Sequence, residues 1–433
     1  MTPEKNLVRD LGRWDLVAIV LNAIVGAGIF GLPARVFALA GPYSLLAYVA
    51  CILPIALIAL CFAEVSSRFK ETGGMYLYAR EAFGSFVGFE IGWLAWLVRL
   101  TAFAALCNLF ADYFAYFVPG AAAGSGRAAT IVLVVTSLTV LNIVGVRVSS
   151  HVINIFTIGK LLPLVLLVAI GVFMVDLRAY SFGVLPSYGN FSSAVLILMF
   201  AFTGFELAPI PAGEAVDPGG HMPFALLVGI AMTALLYVLV QAVCIGTVPD
   251  LGMSERPLAD AGLRIFGTFG ASIISLGALV SVTGTMNGIV LAGPRLVFAM
   301  AEHGQFPRIF ATTHPRFRTP HVAIVVSSAF MLVLTLSGTF ITAATISTLI
   351  RLLTYGVTCA ALPVLRQERD DRPARFRVPA GPLVSMTALA MVAWLFSNST
   401  WKEVQLVVAA AVVGLPFYFL RSVRSDIPAS TTS

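Results

Sequence analysis

Gly26-Ala27-Gly28-Ile29-Phe30-Gly31-Leu32-Pro33 lies inside an apolar run that extends from about residue 14 to 40. Three glycines and a proline within eight residues are poor material for an unbroken helix, because glycine is conformationally loose and proline lacks an amide donor. In lipid, unpaired backbone groups persist only where protein or a water-filled space surrounds them. Small residues also let helices pack closely, which accounts for the glycines without any break. A second stretch favours the break. Phe202-Thr203-Gly204-Phe205-Glu206, followed by Pro209, Pro211 and Gly213, interrupts another apolar run five runs later. Interruptions at corresponding positions of two halves point to a central binding site. Half-helix ends carry free amides that hold a carboxylate and exposed carbonyls that hold a cation or an ammonium.

The rest of the chain fits a membrane setting. Of its 433 residues 59% are hydrophobic and 11% charged, too little charge for the surface of a soluble domain of this size. The apolar runs approach or exceed the roughly 20 residues that cross a bilayer as a helix. They lack the alternation of a transmembrane barrel. About twelve spans are predicted, near 14–40, 43–66, 84–118, 128–146, 152–175, 191–213, 222–248, 267–301, 322–340, 343–365, 382–399 and 403–421. The connections are too short for a separate soluble domain. The predicted fold class is an all-α membrane protein.

Charge placement predicts the orientation. With the N-terminus inside, most of the 27 lysines and arginines fall in cytoplasmic segments, among them Arg13, Arg68, Arg80, Arg147, Arg308, Arg316, Arg318, Arg366 and Arg377. The other loops hold Arg35, Arg127, Arg178, Arg256, Arg264 and Lys402. Enrichment of basic residues on the cytoplasmic side is the expected bias, so both termini are placed in the cytoplasm. It also explains the net charge of +6 without nucleic acid. The first thirteen residues show no signal-peptide pattern. The five cysteines lie in apolar segments without metal-ligand spacing and read as small residues between helices. No phosphate-binding loop or nucleophile elbow is present, and the five histidines fall at loops or span ends. An ATP-driven pump and a membrane-embedded enzyme are therefore disfavoured. A channel has no need of paired broken helices.

These residues resemble the amino acid–polyamine–organocation (APC) superfamily of permeases. Gly26-Ala27-Gly28-Ile29-Phe30 is similar to its span 1 pattern G-[SA]-G-I-F. Gly204-Phe205-Glu206, Glu214-Ala215-Val216-Asp217-Pro218 and Pro223 resemble span 6 and its exit. Arg295, Ala299-Met300-Ala301, Gly304, Pro307 and Pro315-Arg316-Phe317-Arg318-Thr319-Pro320 resemble the signature between spans 8 and 9. Two features depart from the pattern: Gly213 replaces an acid before Glu214, and no basic residue follows Pro218.

The resemblance implies a five-plus-five inverted repeat with broken helices 1 and 6. The whole chain, 1–433, is then one transporter domain, with repeats over 14–175 and 191–365 and additional helices over 382–421. It implies a permease of the cytoplasmic (inner) membrane that moves an amino acid by alternating access, with proton symport, exchange, or carriage of a polyamine or organic amine as the alternatives. No cofactor or metal is expected. The partners are the amino acid, the proton and the bilayer. The backbone at Gly26, Ala27, Gly28 and Ile29 would take the substrate carboxylate, and carbonyls near Phe200, Ala201, Phe202 and Thr203 its ammonium. Phe200 and Phe205 would wall the pocket or form a gate, if they are not core residues.

Lys160, within span 5, would occupy the place that sodium takes in sodium-coupled relatives. Its ammonium would bridge span 1 near Gly26 and span 8 hydroxyls, with Ser281 and Thr283 the candidates; the alternative is a side chain that snorkels to the cytoplasmic face. Glu206 is costly inside a membrane unless paired or protonated, so it serves either coupling or structure. Arg99, in span 3, contacts substrate, pairs with an acid or reaches a headgroup; Arg351 is open in the same way. The segment from Glu71 to Phe83 is expected to form an interfacial helix at the inner gate.

Overall fold

A computed structural model describes residues 12–69, 74–145, 150–207, 218–302, 304–368 and 373–425. These residues form helices and turns, with no strand among them. The fourteen α-helices are α1 (Arg13–Ile24), α2 (Ala27–Ala40), α3 (Ser44–Ser67), α4 (Gly74–Phe83), α5 (Ser85–Phe114), α6 (Gly124–Val144), α7 (Ser150–Gly171), α8 (Tyr188–Ala201), α9 (Pro218–Thr247), α10 (Pro257–Glu302), α11 (His321–Ser337), α12 (Phe340–Glu368), α13 (Gly381–Ser397) and α14 (Trp401–Ser425). Each predicted span contains a helix. The first is split in two, and the sixth contains α8 up to its break.

Seven described stretches are long and apolar enough to cross a membrane, and four shorter apolar helices accompany them. In the apolar window of α14 only 11% of residues are buried, leaving Leu406, Val408, Val412, Val413 and Phe419 exposed. A helix this apolar and this uncovered needs lipid as its solvent. The chain is a multi-pass membrane protein.

Two boundaries differ from expectation for local reasons. The break in span 1 is confined to Val25 and Gly26, and α2 then runs helically through Gly28, Gly31 and Pro33. Helix α10 starts ten residues before span 8 was expected and contains a non-helical residue, Gly267 (φ 66°), where the run changes direction. A positive φ suits glycine, which has no Cβ to clash.

The chain divides into two compact units. The first comprises residues 1–78, 154–281 and 355–399. Within it α9 packs on α1 and α3, α8 on α2 and α3, and α13 on α3. One end of α3 is fixed by a buried carboxylate absent from the sequence reading. Glu64, fully buried, accepts from Arg366 Nε (2.7 Å) and Nη2 (2.6 Å), from Arg68 Nη2 (3.2 Å) and from the Val378 amide (2.7 Å). Arg366 also donates to the Val378 carbonyl at 2.7 Å. The cluster ties α3, the end of α12 and the strand-free segment before α13 together. A buried carboxylate with this many donors is satisfied; one that loses them is not.

The second unit comprises residues 79–153, 282–354 and 400–433. Helix α5, 83% buried in its apolar window, is its spine and packs against α6, α11 and α14. Trp93 stacks on Phe306 and Phe417 and donates to the Ala410 carbonyl at 2.7 Å. Arg127 pairs with Asp112 at 2.6 Å.

Candidate functional site

The candidate site lies in the first unit, where the two helix interruptions meet. Helix α1 ends at Ile24, with the Val25 amide turned back to the Leu21 carbonyl at 2.9 Å. Helix α2 begins one residue after its N-cap residue, Gly26. A helix N-terminus leaves its first N–H groups without an intrahelical acceptor and carries partial positive charge. Ala27 and Ile29 are buried there, at 4% and 0% exposure.

Helix α8 ends at Ala201, and Phe202 to Gly204 form a turn before a short 3₁₀ turn over Phe205–Leu207. The Thr203 hydroxyl donates to the Phe200 carbonyl at 2.8 Å, as does the Thr203 amide at 3.3 Å. Gly204 has φ +116°, and a Cβ placed on it would also strike the Ala23 carbonyl of α1. Only glycine meets both conditions. Gly28 is equally constrained: a Cβ there would overlap the Ala201 main chain and lie 2.7 Å from its Cβ. Two glycines, Gly28 in the first turn of α2 and Gly204 in the turn after α8, thus let the broken helices touch backbone to backbone.

Lys160 and Tyr237 cover the carbonyl end of α1. Lys160, 6% exposed, donates from Nζ to the Asn22 carbonyl (2.5 Å) and the Val25 carbonyl (2.8 Å). It is held inward, not extended to a surface. Tyr237, fully buried on α9, places its Oη 3.1 Å from both the Ile24 and Ala201 carbonyls, so one hydroxyl joins the ends of α1 and α8. The negative end of α1 is therefore dressed with donors, while the N-cap residue of α2 supplies no side-chain acceptor and the Gly26 amide meets the Tyr237 hydroxyl. That asymmetry suits an anionic group at Gly26, Ala27 and Gly28.

Glu206 is held in the same neighbourhood. Its Oε2 accepts from the Gly204 amide and from the Tyr355 hydroxyl, each at 2.8 Å. Phe205 is fully buried in a triangle with Phe62 and Tyr355, with ring centroids 5.4 to 5.7 Å apart. Phe200 and Phe202 are also buried, and Phe202 packs on the Tyr237 ring at 5.2 Å. Ser281 is buried on α10 and Thr283 is partly exposed. The described acceptors of Lys160 are the two α1 carbonyls.

Arg99 belongs to the second unit. Its Nη1 donates to the Ala95 carbonyl one turn back at 2.8 Å, and Gly293 leaves room beside its side chain. Arg295 likewise bonds its own helix, at the Leu291 carbonyl. The motif residues from Pro209 to Asp217 lie outside the described residues, as do residues 71–73 of the expected interfacial helix; α4 covers the remainder. Tyr237, Tyr355, Phe62 and Glu64 were missed from sequence. A lone polar or charged group within an apolar run, where it needs a partner, was the available signal for Tyr237 and Glu64.

The chain is similar to known proteins over nearly its whole length. Residues 11–418 match the model of a family described as amino acid permease. The chain is 28% identical over 436 residues to the serine/threonine exchanger SteT of Bacillus subtilis, covering 96% of this chain and 98% of that one. It is 27% identical over 440 residues to the branched-chain amino acid permease BcaP of the same organism, covering 97% and 94%. Asc-type amino acid transporter 1 of Mus musculus is 29% identical over 437 residues, covering 96% of this chain and 81% of that one. With the family model matched along nearly its whole length, the chain belongs to the amino acid permeases of the APC superfamily.

Proposed function

We propose that this protein is a secondary transporter that moves an amino acid across the cytoplasmic membrane by alternating access, with proton symport as its mode. The observation that carries this reading is the N-terminus of α2, held against the end of α8 by the Gly28–Ala201 contact. A zwitterion needs an anion site and a cation site within a few ångströms of each other. The amides of Gly26, Ala27, Gly28 and Ile29 supply the first. The carbonyls of Phe200, Ala201 and Phe202 supply the second. A carbonyl has two lone pairs: Ala201 already accepts one bond, from the Tyr237 hydroxyl, whereas Phe200 accepts from both the hydroxyl and the amide of Thr203. Lys160 is the coupling residue: its ammonium holds the end of α1 through Asn22 and Val25, and loss of its proton would release that end. Glu206 and Ser281 complete the coupling set. The whole chain acts as one domain of two inverted repeats with both termini in the cytoplasm.

Exchange is the second reading, favoured by the likeness to SteT, an exchanger by name. Uptake of labelled amino acids and polyamines into proteoliposomes separates the possibilities. Saturable uptake of one amino-acid class driven by an inward proton gradient supports symport. Uptake that ignores the gradient but needs internal amino acid supports exchange. Uptake of amines alone overturns the assignment of a carboxylate to α2.

A further inference from the structure

Behind the two breaks, the seam between α3 and α9 holds two fully buried polar atoms that have no hydrogen-bond partner among the described residues. They are Tyr48 Oη and Gln241 Oε1. The two helices pack against each other, and they run in opposite senses, because Ser44 meets Gln241 while Tyr48 meets Tyr237. On one rung, Gln241 Nε2 donates to Ser44 Oγ at 2.9 Å. On the next, the rings of Tyr48 and Tyr237 meet edge to face with centroids 6.3 Å apart. Ser44 and Tyr48 are four residues apart on α3, as are Tyr237 and Gln241 on α9, so each pair lies one turn apart on a single helix face. The two unpartnered atoms therefore belong to adjacent rungs.

The amide orientation of Gln241 is set by chemistry. Its Nε2 also lies 3.3 Å from the Pro33 carbonyl, which can only accept. A flipped amide would set two acceptors against each other. The unpartnered atom is therefore a carbonyl oxygen, and the group one rung away is a hydroxyl that can both donate and accept. Buried polar groups left unmade are costly, and an internal water with several polar partners is the usual remedy. A cation fits less well, because the Gln241 N–H groups point into the same seam and Ser44, Tyr48, Tyr237 and Gln241 are all uncharged. The Cys51–Met199 sulfur contact at 3.7 Å lies one turn beyond Tyr48 on α3, on the side away from Ser44.

We propose that one water molecule is bound in this seam, donating to Gln241 Oε1 and hydrogen-bonded to Tyr48 Oη, with Ser44 Oγ as its third neighbour. The seam one turn from the Tyr237 hydroxyl is thus hydrated rather than dry. The proposal does not depend on what the protein transports.

X-ray hydroxyl-radical footprinting of the full chain in lipid nanodiscs, carried out in ¹⁸O-labelled water, tests it. Radiolysis of a bound water labels the side chain beside it even when bulk solvent cannot reach it. Tyr48 is expected to be labelled as readily as the exposed Tyr188, while the fully buried Tyr113 stays unlabelled. Tyr48 as unreactive as Tyr113 overturns the proposal. A second measurement uses Tyr48→Phe. With water bound, removing the hydroxyl deletes one of its partners and lowers the melting temperature. In a dry seam the same change removes an unpaired buried hydroxyl, so a melting temperature that is unchanged or raised also overturns the proposal.

Discussion

Gly28 and Ala201 share a space with no room for another methyl group: a Cβ on Gly28 would lie 2.7 Å from the Ala201 Cβ and overlap its main chain. The neighbour is backbone, so relief requires α2 and α8 to move apart. Gly28→Ala is expected to cost about 1–3 kcal/mol, the usual scale of overpacking. It should weaken substrate binding as the α2 amides shift. Thermal unfolding in detergent with and without substrate measures both effects. Wild-type affinity would separate this contact from the binding site.

Lys160 is the buried donor to two main-chain carbonyls of α1. Lys160→Met keeps most of the volume and removes both bonds. Each unpaired buried carbonyl costs about 1–3 kcal/mol. Lys160→Ala and Lys160→Met are expected to insert into the membrane but to lose most transport, measured as initial uptake per unit of folded protein. Wild-type uptake in either variant removes Lys160 from the mechanism.

Tyr237 adds a hydroxyl at 3.1 Å to the ends of both interrupted helices. Tyr237→Phe preserves the ring contacts to Tyr48 and Phe202. The hydroxyl has one proton to share between the two carbonyls, so its loss is expected to lower stability by about 0.5–1.5 kcal/mol. Transport should fall further than stability, because the same atom aligns two half-helices. Parallel melting and uptake measurements make that comparison.

Glu206 accepts from the Gly204 amide and the Tyr355 hydroxyl through one oxygen. Glu206→Gln retains an acceptor in that position, whereas Glu206→Ala removes the acceptor that the Gly204 amide and the Tyr355 hydroxyl share. Uptake is expected to survive in the first and to fail in the second. The pH profile of Glu206→Gln decides the coupling question: a flat profile assigns the transported proton to this carboxyl, and a wild-type profile leaves it a structural brace.

Arg366 makes two bonds to the buried Glu64 carboxylate. Arg366→Met leaves that charge with fewer donors and is expected to cost about 3–5 kcal/mol, the range for removing one partner of a buried pair. The double change Glu64→Gln with Arg366→Met should recover part of the loss. A shift in melting temperature as large in the double variant as in the single one would argue against the ion pair.

The helices were legible in the sequence because lipid imposes long apolar runs, and the breaks because Gly28, Gly204 and their prolines stand out against such runs. Their extent was not legible. Pro33 lies within α2 without ending it, since a proline in a membrane helix is tolerated where its neighbours satisfy the freed groups. Lys160 stood out as a charge within an apolar run, and the resemblance set it against span 1 near Gly26; which carbonyls it holds, Asn22 and Val25, was not legible, because main-chain acceptors have no side-chain signature. Tyr237, Tyr355 and Glu64 each have a partner more than a hundred residues away, and nothing local in the chain announces which residue that is.

The ammonium at the end of α1 is tethered to the chain. A dissolved ion occupies a site according to its concentration, and its departure is a matter of mass action. A lysine is always present, whatever the ionic composition of the medium. A protein built this way is expected to keep the end of α1 in place in media poor in sodium.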